Sequence, residues 1–129
     1  MTHSAHTDHH AVLRARVALL GSGKPTVAQR VEAYRVLARV SPLAYLPLLA
    51  RTLGKYAIRD YAHEPLIALA LLAESVAAGR RMVELEPVRG DLLTGSLAAY
   101  RVQLAVMGRQ EEARAVEAEI ARLVSAAER

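Results

Sequence analysis

Cysteine is absent from the 129 residues, and so are phenylalanine and tryptophan. The first absence excludes disulfides, thiolate nucleophiles and cysteine-based zinc sites. It also fits a reducing cytoplasm. The second leaves five tyrosines as the only aromatic side chains, so the core has to be built from aliphatic residues. Lysine is scarce too. Lys24 and Lys55 stand among seventeen cations, and all the others are arginine. Long apolar runs are missing: Leu66–Ala73 and the proline-broken stretch Pro42–Ala50 fall far short of the ~20 residues that a spanning helix needs. The N-terminus is polar, with no apolar signal core. These absences lead to the expectation of a soluble cytoplasmic protein that does not enter a membrane.

Alanine, leucine, valine and arginine dominate what is present. Alanine, leucine and arginine are strong helix formers, and small alanines let helices approach closely. The fold class expected is therefore all-α. A helical phrase also recurs about 44 residues apart: Leu49, Leu53 and Tyr56 form one stripe, and Leu93, Leu97 and Tyr100 repeat its spacing. A charged, arginine-containing helix precedes each stripe and stops at a proline, Pro42 in one case and Pro87 in the other. Recurrence at this length is the mark of stacked helical hairpins, each too thin to bury its apolar face alone.

Residues 1–8 lack periodicity and are expected to form a flexible, histidine-containing tail, leaving 9–128 as a single α-helical domain. A first helix is expected from about His9 to Leu20, with Val12, Leu13, Val17 and Leu20 inward and Gly21-Ser22-Gly23 as its stop. Pro25 and Thr26 open a second helix, with its stripe on Val27, Val31, Tyr34, Leu37 and Val40 and its end at Ser41-Pro42. A third is expected from near Ala44 to Tyr61, with Pro47 confined to its first turn. The fourth runs from Pro65 to about Leu85 and is apolar on nearly every side of its first half, as befits the most buried helix. Asp91 reads as the N-cap of the fifth, which carries Leu93, Leu97, Tyr100, Leu104 and Met107 and stops at Gly108. The sixth covers Gln110 to about Ala127, with Ala113, Val116, Ile120, Leu123 and Val124 inward and Glu111–Arg114 and Glu119–Arg122 at pairing distance. Six helices with short connections make three antiparallel hairpins.

The stretch Leu104-x3-Gly108-Arg109-x2-Glu112-Ala113 resembles the middle of a tetratricopeptide repeat, where a large apolar residue, a glycine turn and a tight-crossing alanine follow in that order. Leu97 and Tyr100 fall at the large apolar positions of that repeat's first helix. Residues 34–50 also look like the helix-proline-helix junctions of long bacterial tetratricopeptide arrays. The resemblance spans residues 30–127. It departs from the family in spacing, near 44 instead of the usual 34. Arg101 stands where the family has a small residue, and Ser125 where it has its closing proline. The resemblance implies a tetratricopeptide-like stack or an α-helical bundle, and a concave groove that binds peptide segments of partner proteins.

Charge is divided unevenly along the chain. Residues 1–60 carry nine cations against Asp8, Glu32 and Asp60, whereas residues 61–129 carry eight arginines against ten acids. A basic first half attracts an acidic partner, nucleic acid, or the acidic half of a second copy. The partner-binding residues expected are Arg30, Arg35 and Arg39 together with Tyr34, Tyr45 and Tyr61, since tyrosine supplies contact area with a polar tip. Tyr56 and Tyr100 lie on the stripes and are assigned to the core. Glu74, in the apolar fourth helix, is expected to face a groove or pair with an arginine, and Arg80, Arg81 and Arg89 cluster near a helix end. His3, His6, His9 and His10 form a metal-binding alternative, without a fourth ligand that the sequence names. Gly21-Ser22-Gly23-Lys24-Pro25-Thr26 does not meet the phosphate-loop pattern, because Pro25 replaces the magnesium-holding hydroxyl and a helix precedes the loop. No pattern points to catalysis or a cofactor, and no metal site is assigned beyond that alternative. The reading is a non-enzymatic helical scaffold that binds a protein or peptide or associates with itself as a homodimer, and a nucleic-acid-binding helical protein is its alternative.

Overall fold

The computed structural model describes the backbone of residues 2–21 and 23–129, and the side chains from residue 9 onward except Ser22. The described chain is all-α: α1 (Thr2–Leu20), α2 (Val27–Val40), α3 (Pro42–Asp60), α4 (Pro65–Leu85), a 3-10 turn at Pro87–Arg89, α5 (Gly90–Val106) and α6 (Gln110–Ala127). Each helix packs on the helices before and after it in the chain, and α3 also touches α5. Among the described residues the α1 backbone lies against that of α2 and the α6 backbone against that of α5, so the helices form an open row and not a closed ring. Short connections between packed neighbours turn successive helices antiparallel.

The boundaries follow local chemistry. Thr26 caps α2: its hydroxyl accepts from the Gln29 backbone N–H at 3.1 Å, and the Gln29 side chain accepts from the Thr26 N–H at 2.8 Å. This reciprocal pair satisfies two N–H groups that the first turn would otherwise leave unpaired. Pro42 and Pro65 stand at the first turns of α3 and α4, where a missing N–H costs nothing. Gly108 closes α5 with φ 77°, a left-handed turn that glycine adopts without penalty.

Three expectations about ends need correction. α1 begins at Thr2, well before His9, since no glycine or proline interrupts the preceding residues. α3 begins at Pro42, so Pro47 lies beyond the first turn and is buried. Its ring removes one hydrogen bond near the helix start, and burial against the core offsets that loss. Asp91 is not the N-cap of α5 but a member of its first turn, behind Arg89. There it still favours the positive end of the helix dipole.

The core is centred on α3, α4 and α5. Leu53, Met82, Leu97 and Leu104 are completely buried. Leu49 and Leu53, and likewise Leu93 and Leu97, are buried as the two stripes require, with Tyr56 and Tyr100 half-buried at their ends. α4 is the most buried helix, although Leu66 and Ile67 at its start face outward. A Cβ at Gly79 would stand 3.1 Å from the Leu93 Cα, so the glycine is what lets α4 and α5 approach. Beside it, the Ser75 hydroxyl donates to the Ala50 carbonyl at 2.8 Å and lies 2.9 Å from the Ser96 hydroxyl. With its one proton used, Ser75 must accept from Ser96, and the chain of bonds ties α3, α4 and α5 together.

α1 departs most from expectation. It buries Val12 and Ala15, which pack with Ala33 and Leu37 of α2. Leu13, Val17 and Leu20, expected inward, are exposed. Two of the four side chains in this contact are alanines, and it lies on the side of α1 away from Leu13, Val17 and Leu20. Val40 and Val124, also expected inward, are about half-exposed at the ends of their stripes.

Candidate functional site

α2 displays Gln29, Glu32, Arg35, Val36 and Arg39 along one side, because residues three and four apart share a helix face. α1 lies beside that face with Ala11, Arg14, Ala15 and Ala18, and the two helices enclose a groove of about 600 Å³. Its floor is alanine and valine, and its rim carries Arg14, Arg35 and Arg39 with one carboxylate, Glu32. A second pocket of about 280 Å³ opens between α2, α3 and α4. It is lined by Arg35, Arg39, Glu74 and Arg81 over Ala38, Leu46 and Leu49. Arg35 and Arg39 belong to both cavities, which makes them one shelf running from α1 across α2 to α4.

Arg35 is the fixed point of this shelf. Its Nε donates to Glu74 Oε2 at 2.8 Å and its Nη2 to Glu74 Oε1 at 2.7 Å, a two-pronged pair joining α2 to α4. That hydrogen bonding, outweighing partial desolvation, raises the guanidinium above its ordinary value. Both side chains remain more than a third exposed, so the pair positions Arg35 more than it stabilises the fold. A parallel tie joins α4 to α6, where Arg80 Nη2 meets Glu119 Oε1 at 2.6 Å. Glu119 thus pairs with Arg80 across the row, not with Arg122 as expected. Glu117 likewise reaches Arg101 at 3.7 Å.

Of the partner-binding residues expected, the structure brings Arg35 and Arg39 together on the shelf. Arg30 lines neither cavity. Its Nε is buried and makes no hydrogen bond among the described residues. The tyrosines pair with one another: Tyr34 with Tyr45, ring centroids 6.0 Å apart, and Tyr56 with Tyr61, edge to face at 5.0 Å with their hydroxyls 3.1 Å apart. All four are half-buried against the core. Sequence reasoning missed Arg14, whose place depends on how α1 lies on α2. Arg81 was visible only as a member of a cluster at the end of α4.

A further concavity, about 370 Å³, lies between α3 and α5 over Ser75 and Ser96, with Arg51 and Lys55 on one wall and Asp91 on the other. Among the described residues there is no group of three or more side chains able to hold a metal ion. The side chains of His3, His6 and Asp8 lie outside those described, as does Ser22 of the glycine-rich connection. No described helix is long and apolar enough to cross a membrane. Compared with family models, with curated proteins and with solved structures, the chain matches none.

Proposed function

We propose that this protein is a non-enzymatic helical scaffold that binds an acidic segment of a partner protein along the Arg14–Arg35–Arg39–Arg81 shelf. The observation that carries this reading is the sharing of Arg35 and Arg39 by two adjoining cavities. It joins four guanidiniums and only two carboxylates, Glu32 and Glu74, over a floor of apolar side chains. A floor of this kind buries the apolar side of a peptide, while arginine forks meet carboxylates with directional hydrogen bonds. The tetratricopeptide-like character of the hairpins and action in the cytoplasm are parts of the same proposal. The first rests on the resemblance between Leu104 and Ala113, the second on the absence of cysteine. Homodimerisation is the self-associating form of the reading.

The test is fluorescence anisotropy with a labelled helical peptide carrying glutamate and leucine, beside a charge-reversed peptide and a duplex oligonucleotide. Binding of the acidic peptide that falls at least about tenfold in Arg35→Glu/Arg39→Glu supports the proposal. Preference for the oligonucleotide, lost steeply as salt rises, would replace it with the nucleic-acid reading. Sedimentation of the free chain then decides between monomer and dimer.

A further inference from the structure

α5 has two apolar faces. Leu93, Leu97 and Leu104 form the buried one. On the other side Leu92, Gly95, Ala99, Val102 and Val106 follow at intervals of three and four residues, so they share a face. Leu92 and Ala99 are half-buried and Gly95 is exposed, while Val102 and Val106 stand 51% and 75% exposed. Val88, also exposed, precedes them on the 3-10 turn. Asp91 and Arg101 are the only charged residues in α5, and Arg101 reaches Glu117 of α6. α6 by contrast exposes Glu111, Arg114, Glu117 and Arg122. A surface helix carries its charges on the outward side, and a helix without them is normally covered.

The order of side-chain sizes along this outer face is the same from either end. Reflected about Leu97, Leu92 falls at Val102, Gly95 at Ala99 and Val88 at Val106. We propose that the face is covered by the same face of a second copy, with the two α5 helices antiparallel about a two-fold axis at the level of Leu97. A two-fold contact sets one patch against itself, which is the condition that this order of sizes meets. Large side chains then meet large ones, and Gly95 meets Ala99 of the second copy. A Cβ added at Gly95 finds no atom within 4 Å, so there is open space at the crossing for the other helix to approach. The proposal rests on the self-associating form of the scaffold reading and gives it a surface. It leaves peptide binding alone, since this face shares no residue with the shelf. An axis across antiparallel helices also sets α3 beside its own counterpart. Arg51 and Lys55 of α3 border the face and make no ion pair among the described residues, so like charges meet at its rim. Pairing is therefore weak at low salt and strengthens as salt screens them.

The experiment is sedimentation of the full chain over a concentration series at low and high salt. The average mass should rise toward that of a dimer, and at lower protein concentration in high salt. Gly95→Leu separates folding from pairing. The open space and a better helix propensity make it harmless to the single chain, whereas a leucine at the crossing holds the two helices apart. Dimerisation should weaken at least about tenfold, with the melting midpoint unchanged or raised at a dilution where the parent is monomeric. The chain has no cysteine, so engineered cysteines report the register. Under a mild oxidant, Leu92→Cys mixed with Val102→Cys should give a disulfide-linked dimer that neither variant gives alone. Equal linking by either variant alone, or a parent that stays monomeric at every concentration, would overturn the proposal. So would loss of the dimer in Arg35→Glu/Arg39→Glu, which would put the contact on the shelf. A monomer that binds the acidic peptide removes this surface and leaves the peptide-binding reading standing. A dimer lost in Gly95→Leu, from a chain that binds no peptide, removes the peptide reading and leaves this surface.

Discussion

In the middle of the row, α3, α4 and α5 bury Leu53, Met82 and Leu97 completely, draw together at Gly79, and share the Ser75–Ser96 hydrogen bonds. At the α1 end, Val12 and Ala15 are the side chains buried, while Val17 and Leu20 stand 67% and 84% exposed. Both regions are helical and both have apolar stripes. The difference is that a middle helix is covered on two sides and α1 on one. An apolar face lowers the free energy only when another element removes it from water. Stability therefore belongs to the middle, and the α1 end rests on few buried side chains.

The largest expected effect breaks the middle. Leu97→Asp places an unpaired carboxylate where no water reaches, and the chain should lose its cooperative unfolding transition by circular dichroism. A folded, cooperative variant would mean that α5 is not sandwiched between α4 and α6. Leu53→Ala should cost about 2–5 kcal/mol in chemical denaturation. Val12→Ala, which removes two methyl groups at the lightly packed end, should cost about 1 kcal/mol. Equal losses would abolish the contrast between the two regions.

Gly79→Ala tests the close approach that holds the middle together. Alanine favours a helix by about 1 kcal/mol over glycine, yet its Cβ would sit 3.1 Å from the Leu93 Cα. A net loss of about 1–2 kcal/mol is expected, and a gain in stability would show that α4 and α5 can separate freely. The Tyr56 pair sets a pH dependence at the edge of the same core. Its hydrogen bond with Tyr61, and then burial, raise the Tyr56 phenol above the ordinary tyrosine value, which is about 10. The unfolded chain ionises first, so the stabilisation is complete below pH ~10 and is lost as pH rises through the folded value. Denaturation midpoints taken from pH 8 upward should fall, and Tyr56→Phe should flatten that fall.

Arg30→Met carries the smallest expected effect and belongs to the α1–α2 end. The buried Nε without a hydrogen bond costs free energy that a thioether of similar length does not. The variant should be neutral or slightly more stable and should bind the acidic peptide as well as the parent does. Weakened peptide binding would restore Arg30 to the site.

Much of the fold was legible because it rests on local chemistry. The α4 boundaries follow from Pro65 and from the end of the apolar pattern at Leu85, the turn after α5 follows from Gly108, and the buried stripes on α3 and α5 follow from helical spacing. The candidate site was legible only in part. Arg35 and Arg39 stood out as members of a basic helix, but Arg14 lies on another helix, and its place beside them depends on which side of α1 meets α2. Tyr34, Tyr45 and Tyr61 were expected at a partner surface for their contact area and polar tips; in the structure Tyr34 pairs with Tyr45 and Tyr61 with the core residue Tyr56, half-buried against the core.

By itself the sequence determined that this chain is helical, where most of its helices stop, and which leucines lie at its centre. Helix propensity, capping, proline and glycine act within a turn or two of the residues that carry them. Only the tertiary structure decided that Arg35 meets Glu74, that Arg80 meets Glu119, and that α1 turns Val17 and Leu20 outward. Those outcomes join residues tens of positions apart, and they depend on the angle and rotation at which whole helices dock. Small residues sit where helices come together: Ala15 and Ala33 share the α1–α2 cluster, and Gly79 lies against Leu93 of α5.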